Sequence, residues 1–278
     1  MIALLRYGNI LVNYMIHTLP QTRQLHPEPV VNLLIEKIDP IRLEEMTKVS
    51  LLKRVDTKYL LSTMQLYGVL SYLKDYYRVL SVNGTRLNRY QNLYFDTPDF
   101  RFYREHHNGA LNRYKIRCRQ YLESSLFFLE VKYKTNKRKT IKSRIPIPNM
   151  ITQFDNRTDD FMRTYSPVEA YQLEPKLWNS YSRITLVSKH NLERLTIDIN
   201  LEFFDGDQSV KLPGIAIAEV KQEKFSFQSD FIQQMRAIKI RPVSFSKYCM
   251  GIATMYPHLK HNNFKPNFLL INKISNTQ

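Results

Sequence analysis

Lysine and arginine recur at every second position in one stretch of this chain: Arg113, Lys115, Arg117 and Arg119, then Lys132 and Lys134 after Glu130, then Lys142 and Arg144. Between Arg113 and Arg144 there are eleven Lys and Arg against two Glu, a surplus of nine positive charges out of +16 for the whole chain. Successive side chains on a strand point to opposite faces, so each alternating set lines one face, and three neighbouring strands would share one cationic face. That face is either the wet side of an ordinary sheet or the lining of an enclosed space, and periodicity is the same for both. The sign of the charge separates them. Like charges facing across strands repel, and a sheet that needed only solubility would interleave acids among its bases. Cations in unbroken rows are accounted for when an external polyanion supplies the missing charge, and phosphate is the leading candidate.

The elements that must carry these residues are legible in outline. Strands are expected near 111–121, 126–134 and 138–147, joined by short polar links as an antiparallel meander, with Ile116, Cys118, Leu129 and Val131 turned the other way toward a core. Residues 51–61 alternate Arg54, Asp56 and Lys58 with Val55, Thr57 and Tyr59, a strand pattern. Ser62 is the expected N-cap of a helix reaching about Asp75, and strands follow at 77–82 and 89–95. A short helix at 99–107 ends at Asn108-Gly109, and His106 and His107 read as its solvated last turn. Long strands at 171–189 and 194–203, a strand at 215–221, and helices at 226–240 and 246–256 complete the series. Further expectations are a helix at 30–38 stopped by Pro40, a helical pattern resuming at 41–46, a loop or short helix at 149–166, and a frayed tail from Lys260.

Composition bounds the class. At 278 residues, 43% hydrophobic and 24% charged, the chain can bury one substantial core or two small ones, and it has no Gly-rich or Ser-rich linker, internal repeat or low-complexity tract. The organisation expected is an N-terminal extension at 1–28, one domain at 29–258 and a tail at 259–278. The apolar run near the start is broken by Arg6 and Asn13 and lacks a cleavage site, so neither a membrane span nor a signal peptide is expected and the protein is placed in the cytoplasm. Cys118 and Cys249 are read as free thiols, without zinc-ligand spacing.

Eight short motifs in order resemble the VTC-type polyphosphate polymerases, a branch of the triphosphate tunnel metalloenzymes. They are Arg-x-Asp-x-Lys-Tyr at 54–59, Tyr-Phe-Asp-Thr-Pro-Asp at 94–99, Arg-Tyr-Lys-Ile-Arg-x-Arg-x-Tyr at 113–121, Phe-Leu-Glu-Val-Lys at 128–132, Lys-Ser-Arg at 142–144, Tyr-x-Arg at 181–183, Ala-Glu-Val-Lys at 218–221 and Phe-Ser-Lys-Tyr at 245–248. The resemblance implies an α+β fold, an eight-stranded antiparallel β-barrel enclosing a tunnel, with flanking helices. It assigns Lys58, Arg117, Arg119, Lys132, Lys142, Arg183, Lys221 and Lys247 to a phosphate chain, with Arg117, Arg119, Lys132, Arg183 and Lys247 at the reacting group. Arg54, Arg113, Lys115, Lys134, Arg144, Tyr181 and Ser246 join them as substrate contacts. Glu219 takes the position of the metal-binding carboxylate for Mn²⁺ or Mg²⁺, and Glu130 either assists it or pairs with a neighbouring lysine. Hydrolytic members of the superfamily carry a Glu-x-Glu-x-Lys strand where this chain has Arg54-x-Asp56-x-Lys58. Arginine there exchanges a metal ligand for a phosphate ligand, while Asp56 is open to either metal ligation or neutralising Arg54.

The function implied is transfer of the γ-phosphoryl group of ATP to a growing inorganic polyphosphate, releasing ADP. The acceptor is an ionised phosphate oxygen, which is consistent with the lack of a recognisable acid–base dyad. Competing readings are a metal-dependent triphosphate or nucleoside triphosphate hydrolase and a non-catalytic polyphosphate-binding module. Nucleic acid is not the expected partner, because many of the 33 Phe and Tyr fall at core positions. With no membrane span of its own, any membrane association would come through a partner protein.

Overall fold

A computed structural model describes residues 27–49, 55–137 and 139–276; of 47–49 it describes the backbone alone. The strands in chain order are β1 (Pro40–Arg42), β2 (Val55–Ser62), β3 (Tyr77–Ser81), β4 (Leu87–Asp96), β5 (Arg113–Tyr121), β6 (Leu126–Lys134), β7 (Thr140–Ile147), β8 (Glu174–Ser188), β9 (Glu193–Asp205), β10 (Gln208–Leu212) and β11 (Ile215–Gln222). The helices are α1 (Glu28–Ile35), α2 (Thr63–Leu73), α3 (Arg101–His107), α4 (Asn156–Tyr165), α5 (Asp230–Ala237), α6 (Lys247–Met255) and α7 (Lys265–Ser275).

Eight strands form one antiparallel path, β2-β11-β9-β8-β4-β5-β6-β7. The expected eight-stranded wall with flanking helices is present. Its ends are left open: among the described residues no hydrogen-bonded ladder joins β7 to β2. The sheet instead curls, helped by register shifts at Tyr94/Phe95 and Ser180/Ser182 that increase local twist. Side chains from both end strands therefore face one space. The β7 edge carries Lys142, Arg144 and Pro146, charges and a missing N–H that discourage edge-to-edge pairing.

Apolar clusters flank this space. The outer face of β4–β7 places Leu93, Ile116, Cys118, Leu129 and Val131 against Phe161 and Met162 of α4, the direction anticipated from alternation. On the far side, α1, α2 and α5 cover Tyr59, Leu61, Ile197 and Val220. Helix α2 begins in a capping box, in which Gln65 N–H donates to Ser62 Oγ and Ser62 N–H donates to Gln65 Oε1, and it buries Leu66, Val69, Leu70 and Leu73. Helix α6 lies on β8 and β9 so closely that a Cβ on Gly251 would stand 2.4 Å from Leu177 and 2.7 Å from Phe203.

Several expectations are corrected. Residues 40–42 are a strand pairing in parallel with β3, and a 3-10 turn follows at Glu44–Val49 in place of a resumed helix. The segment after Lys260 is no frayed tail: α7 packs Ile271, 3% exposed, into the cluster beneath α6, because Ile271 and the partly buried Phe268 and Ile274 form an apolar stripe. Helix α5 is shorter than predicted, stopped where Lys239 adopts φ 58°. Strand β10 was unforeseen, although Asp205-Gly206 before it is a hairpin signal. Residues 1–26, and with them nearly all of the expected N-terminal extension, lie outside the described residues, as does Arg54.

Candidate active site

The strand registers bring the alternating cations together. Lys115 faces Lys132, which faces Lys142; Arg117 faces Glu130, which faces Arg144; Arg119 faces Phe128. From the other end of the sheet, Lys58 faces Glu219 and Asp56 faces Lys221. These residues meet around a cavity of about 560 Å³ lined by twelve Lys and Arg side chains and three carboxylates, Asp56, Glu123 and Glu219. Lys58, Lys115, Arg117, Arg119, Lys132, Lys142, Arg144, Tyr181, Arg183, Lys221, Ser246, Lys247 and Glu219 all line it. The cationic face looks inward, with the apolar face behind it.

Two arginines are clamped by buried acids. Glu130, 1% exposed, accepts from Arg117 Nε at 2.8 Å and Nη2 at 2.7 Å on one oxygen and from Lys142 Nζ at 2.5 Å on the other. Burial works against its charge, but Arg117, Arg119 and Lys142 outweigh burial and hold the carboxyl far below the usual range. Glu130 thus takes the lysine-pairing role, with both oxygens engaged, and is not a wall residue of the cavity. Asp198, 3% exposed, is the counterpart: Arg183 forks onto it with Nε–Oδ1 at 2.6 Å and Nη2–Oδ2 at 2.8 Å, and Lys247 Nζ donates to Oδ2. Its pKa is also depressed, burial being overcome by Arg183 and Lys247. Sequence reasoning missed Asp198; the signal was a lone acid flanked by Ile197 and Ile199 in the run Leu195–Ile199.

Aromatic rings orient the guanidinium groups. Tyr90 and Tyr181 stack in parallel at 5.3 Å, and the Arg183 guanidinium lies over both, 5.0 Å and 5.2 Å from their centroids. Arg119 Nε donates to Asn92 Oδ1 at 2.8 Å and its Nη2 to Tyr181 OH at 3.1 Å, while Arg117 Nη1 donates to Tyr94 OH at 3.1 Å. Burial raises the Tyr181 phenol, yet Arg119, Arg183 and Lys247 together bring it below its ordinary value. Arg144 stacks over Phe128 at 4.5 Å. Tyr90, Tyr94 and Asn92 were not anticipated, since their roles depend on which strand lies beside β4.

The lysines of β5, β6, β7 and β11 are held differently. Burial pushes Lys115 down to about 7, with Lys132, Lys58 and Arg113 adding to the effect; its ammonium donates to Ser246 Oγ at 2.8 Å, and Ser246 caps α6 by accepting from Cys249 N–H. Burial lowers Lys142 to about 7 against the opposing pull of Glu130, and lowers Lys221 to about 8 against that of Glu219. Lys132 is lowered for the same reason. Glu219 Oε1 pairs with Lys221 Nζ at 2.6 Å, and although burial disfavours its charge, Lys221, Lys58 and Lys132 hold it well below the ordinary range.

Among the described residues no group of three or more His, Cys, Asp and Glu is placed to hold a metal by protein ligands alone. Glu219 puts a carboxylate on the cavity wall, which suits a hard cation that keeps waters and takes its remaining oxygens from a phosphate. Arg113 and Lys134 face each other one row beyond the wall residues. His106 and His107 do not form a solvated turn: His107 is 3% exposed, tilted against Tyr103 and edge-on to Phe264, and burial with nearby Lys115 and Arg113 drives the half-buried His106 down to about 2. Both pack beneath the turn that precedes α7. Cys118 and Cys249 are free and buried, as expected, and among the described residues no helix is long and apolar enough to cross a membrane.

Solved structures similar to this chain include a proposed adenylate cyclase of Bacillus halodurans, 14% identical over 70% of this chain and 94% of that one, with a TM-score of 0.47. A second proposed adenylate cyclase, from Vibrio parahaemolyticus, is 12% identical over 71% of this chain and 97% of its own, with a TM-score of 0.42. An adenylyl cyclase candidate of Hippeastrum, described as having a dominant triphosphatase activity, is 12% identical over 72% of this chain and 95% of its own, with a TM-score of 0.45. No curated protein matched. The VTC domain family matches residues 53–256, a span that holds the whole eight-stranded wall from β2 to β11 and helix α6, and the chain belongs to that family.

Proposed function

We propose that this protein is a polyphosphate polymerase, transferring the γ-phosphoryl group of ATP to the end of an inorganic polyphosphate inside the cavity and releasing ADP. The observation that carries this reading is the cavity itself, where twelve cations face three wall carboxylates, an imbalance that a chain of phosphates relieves. Membership of the VTC domain family supports it.

The chemistry asks for alignment and charge stabilisation. Arg117 and Arg183, fixed by Glu130 and Asp198, present guanidinium donors whose positions are set before substrate enters, so little reorganisation accompanies charge build-up on the transferring group. Arg119, Lys132 and Lys247 add charge around the same space. A terminal phosphate oxygen attacks the γ-phosphorus, the bond to the bridging β,γ-oxygen breaks, and ADP takes the electron pair; no proton need leave the acceptor. Lys115, Lys142 and Lys221 gain protons as the anion enters, since its charge raises pKa values that burial had lowered. A divalent metal, Mn²⁺ or Mg²⁺, supplies further neutralisation of the phosphates when bound, and Glu219 is the residue that would hold it.

Incubation with ATP and Mn²⁺ or Mg²⁺ tests the reading. Long phosphate polymers with stoichiometric ADP are expected; free phosphate without polymer would instead establish the hydrolase. Glu219→Gln should lower turnover at least about tenfold, as loss of a metal-site group does. Turnover of neither kind, with tight polyphosphate binding that Glu219→Gln leaves intact, would establish a binding module.

A further inference from the structure

The cation rows continue beyond the cavity wall. Along β5 from Arg119 toward Arg113 the facing sets are Arg119–Phe128, Arg117–Glu130–Arg144, Lys115–Lys132–Lys142 and Arg113–Lys134–Thr140. Glu130 is the last acid on this path, for residues 131–147 contain neither Asp nor Glu. Thr140 still lines the cavity, so the bore reaches the row that holds Arg113 and Lys134. Past that row the β6–β7 turn exposes Lys137 and Lys139.

The turn is anchored. Thr135 N–H donates to the Lys139 carbonyl at 2.8 Å, Lys139 N–H donates to Thr135 Oγ1 at 3.2 Å, and Asn136 N–H donates to Asn112 Oδ1 at 2.9 Å. Tyr133 OH donates to the same Asn112 oxygen at 3.0 Å, and Tyr114 stacks on Tyr133 at 4.4 Å. These contacts hold the backbone of the turn beside Asn112, the residue before Arg113 at the start of β5.

Length decides what such a ladder fits. Six residue steps from Arg119 to Arg113 cover about 20 Å at strand rise, and the turn extends it, well past the reach of one triphosphate. Rows rich in like charge repel across strands and attract an anion long enough to span them. We propose that the β6–β7 turn, through Lys137 and Lys139, continues the Arg113–Lys134 row as a surface track for an inorganic phosphate polymer longer than the cavity holds. The proposal rests on the reading of the cavity as a polyphosphate site. An ordinary edge-protecting role for these lysines would leave polymer binding unchanged.

Binding of tripolyphosphate and of long-chain polyphosphate to the full chain, with and without Lys137→Glu and Lys139→Glu together, tests it. The double variant should bind the long polymer about three- to tenfold more weakly, the scale of two exposed charges reversed, and tripolyphosphate as the parent does. The loss should shrink as salt rises, because exposed charges are screened. The charge-neutral pair Lys137→Gln and Lys139→Gln should show a smaller loss, and an unchanged thermal transition checks folding. Equal affinities of parent and variant for the long polymer overturn the track. So does an equal loss for both ligands, or tighter binding of a single-stranded oligonucleotide than of the phosphate polymer. Failure of the parent to bind tripolyphosphate would sink the cavity reading itself, and the track with it.

Discussion

Positive charge is held in two ways around this cavity. On the β5–β6 and β8–β9 walls, Arg117 and Arg183 each lie against a buried carboxylate that a lysine also caps, and aromatic rings brace them. On the β2–β11 wall and in the Lys115–Lys132–Lys142 row, lysines stand opposite one another or opposite the cavity-wall acids Glu219 and Asp56, and burial lowers the pKa of four of them, Lys115, Lys132, Lys142 and Lys221. The guanidinium–carboxylate pairs of the first arrangement stay charged at any working pH and hold one another in place. The second holds crowded positive charge that an incoming anion stabilises. Lys142 belongs to both, since it pairs with Glu130 and still titrates near 7. A cavity built this way has fixed donors for the transferring group and responsive ones for binding.

Breaking the clamped side should have the largest effect. Arg183→Ala leaves Asp198 with Lys247 as its remaining cationic partner, and a rate loss of about 100-fold or more is expected from a lost donor to the transition state. Stability should fall as well, by about 3 kcal/mol, because removing one member of a buried pair leaves charge uncompensated. Polymer synthesis from ATP and urea unfolding measure the two effects. A variant with full rate would remove Arg183 from the reacting group.

The lysine side should answer differently. Lys132→Met deletes a half-buried ammonium that faces Lys115 and Lys142, so the empty protein is expected to hold its urea midpoint or gain slightly. Tripolyphosphate affinity should drop about tenfold, the scale of one charge-assisted hydrogen bond. A loss of stability as large as that for Arg183→Ala would erase the distinction between the two walls.

The smallest effect is a pH dependence with opposite signs in the empty and loaded protein. Lys115 and Lys142 near 7 and Lys221 near 8 lie below their ordinary value of 10.5, so between these limits the unfolded chain binds more protons than the folded one. Stability of the empty protein therefore rises as pH increases from about 7 toward 10. Phosphate binding needs the ammonium forms, and affinity should fall by a small factor per pH unit over the same window. Calorimetry in buffers of different ionisation enthalpy should detect proton uptake on binding below pH 9. Affinity that is flat from pH 6 to 9 would show that the lysines stay protonated.

The alternation at 113–119, 130–134 and 142–144 was sufficient to read three strands sharing a cationic face, because side-chain direction in a strand is a local property with a period of two. The α2 capping box was equally local, with Ser62 and Gln65 three residues apart. Asp198 was not legible in that way. Its meaning comes from lying opposite Arg183, fifteen residues away, with Lys247 arriving from a helix forty-nine residues further on. Glu130 was read with two possible roles, and register opposite Arg117 and Arg144 decided between them. The packed His106 and His107 and the docked α7 were misjudged for the same reason: their partners, Phe264 and the α6 cluster, are remote in sequence or belong to a segment whose polar residues hide an apolar stripe.

What the sequence by itself determined is the sign, spacing and sidedness of the charge, since these follow from residue type and backbone period. The tertiary structure decided which cations are clamped and which are exposed to mutual repulsion, and that the sheet curls without joining its edges. Those outcomes depend on cross-strand register and on burial, and an electrostatic energy is a property of pairs of groups and of the medium between them, which no single position in a chain specifies.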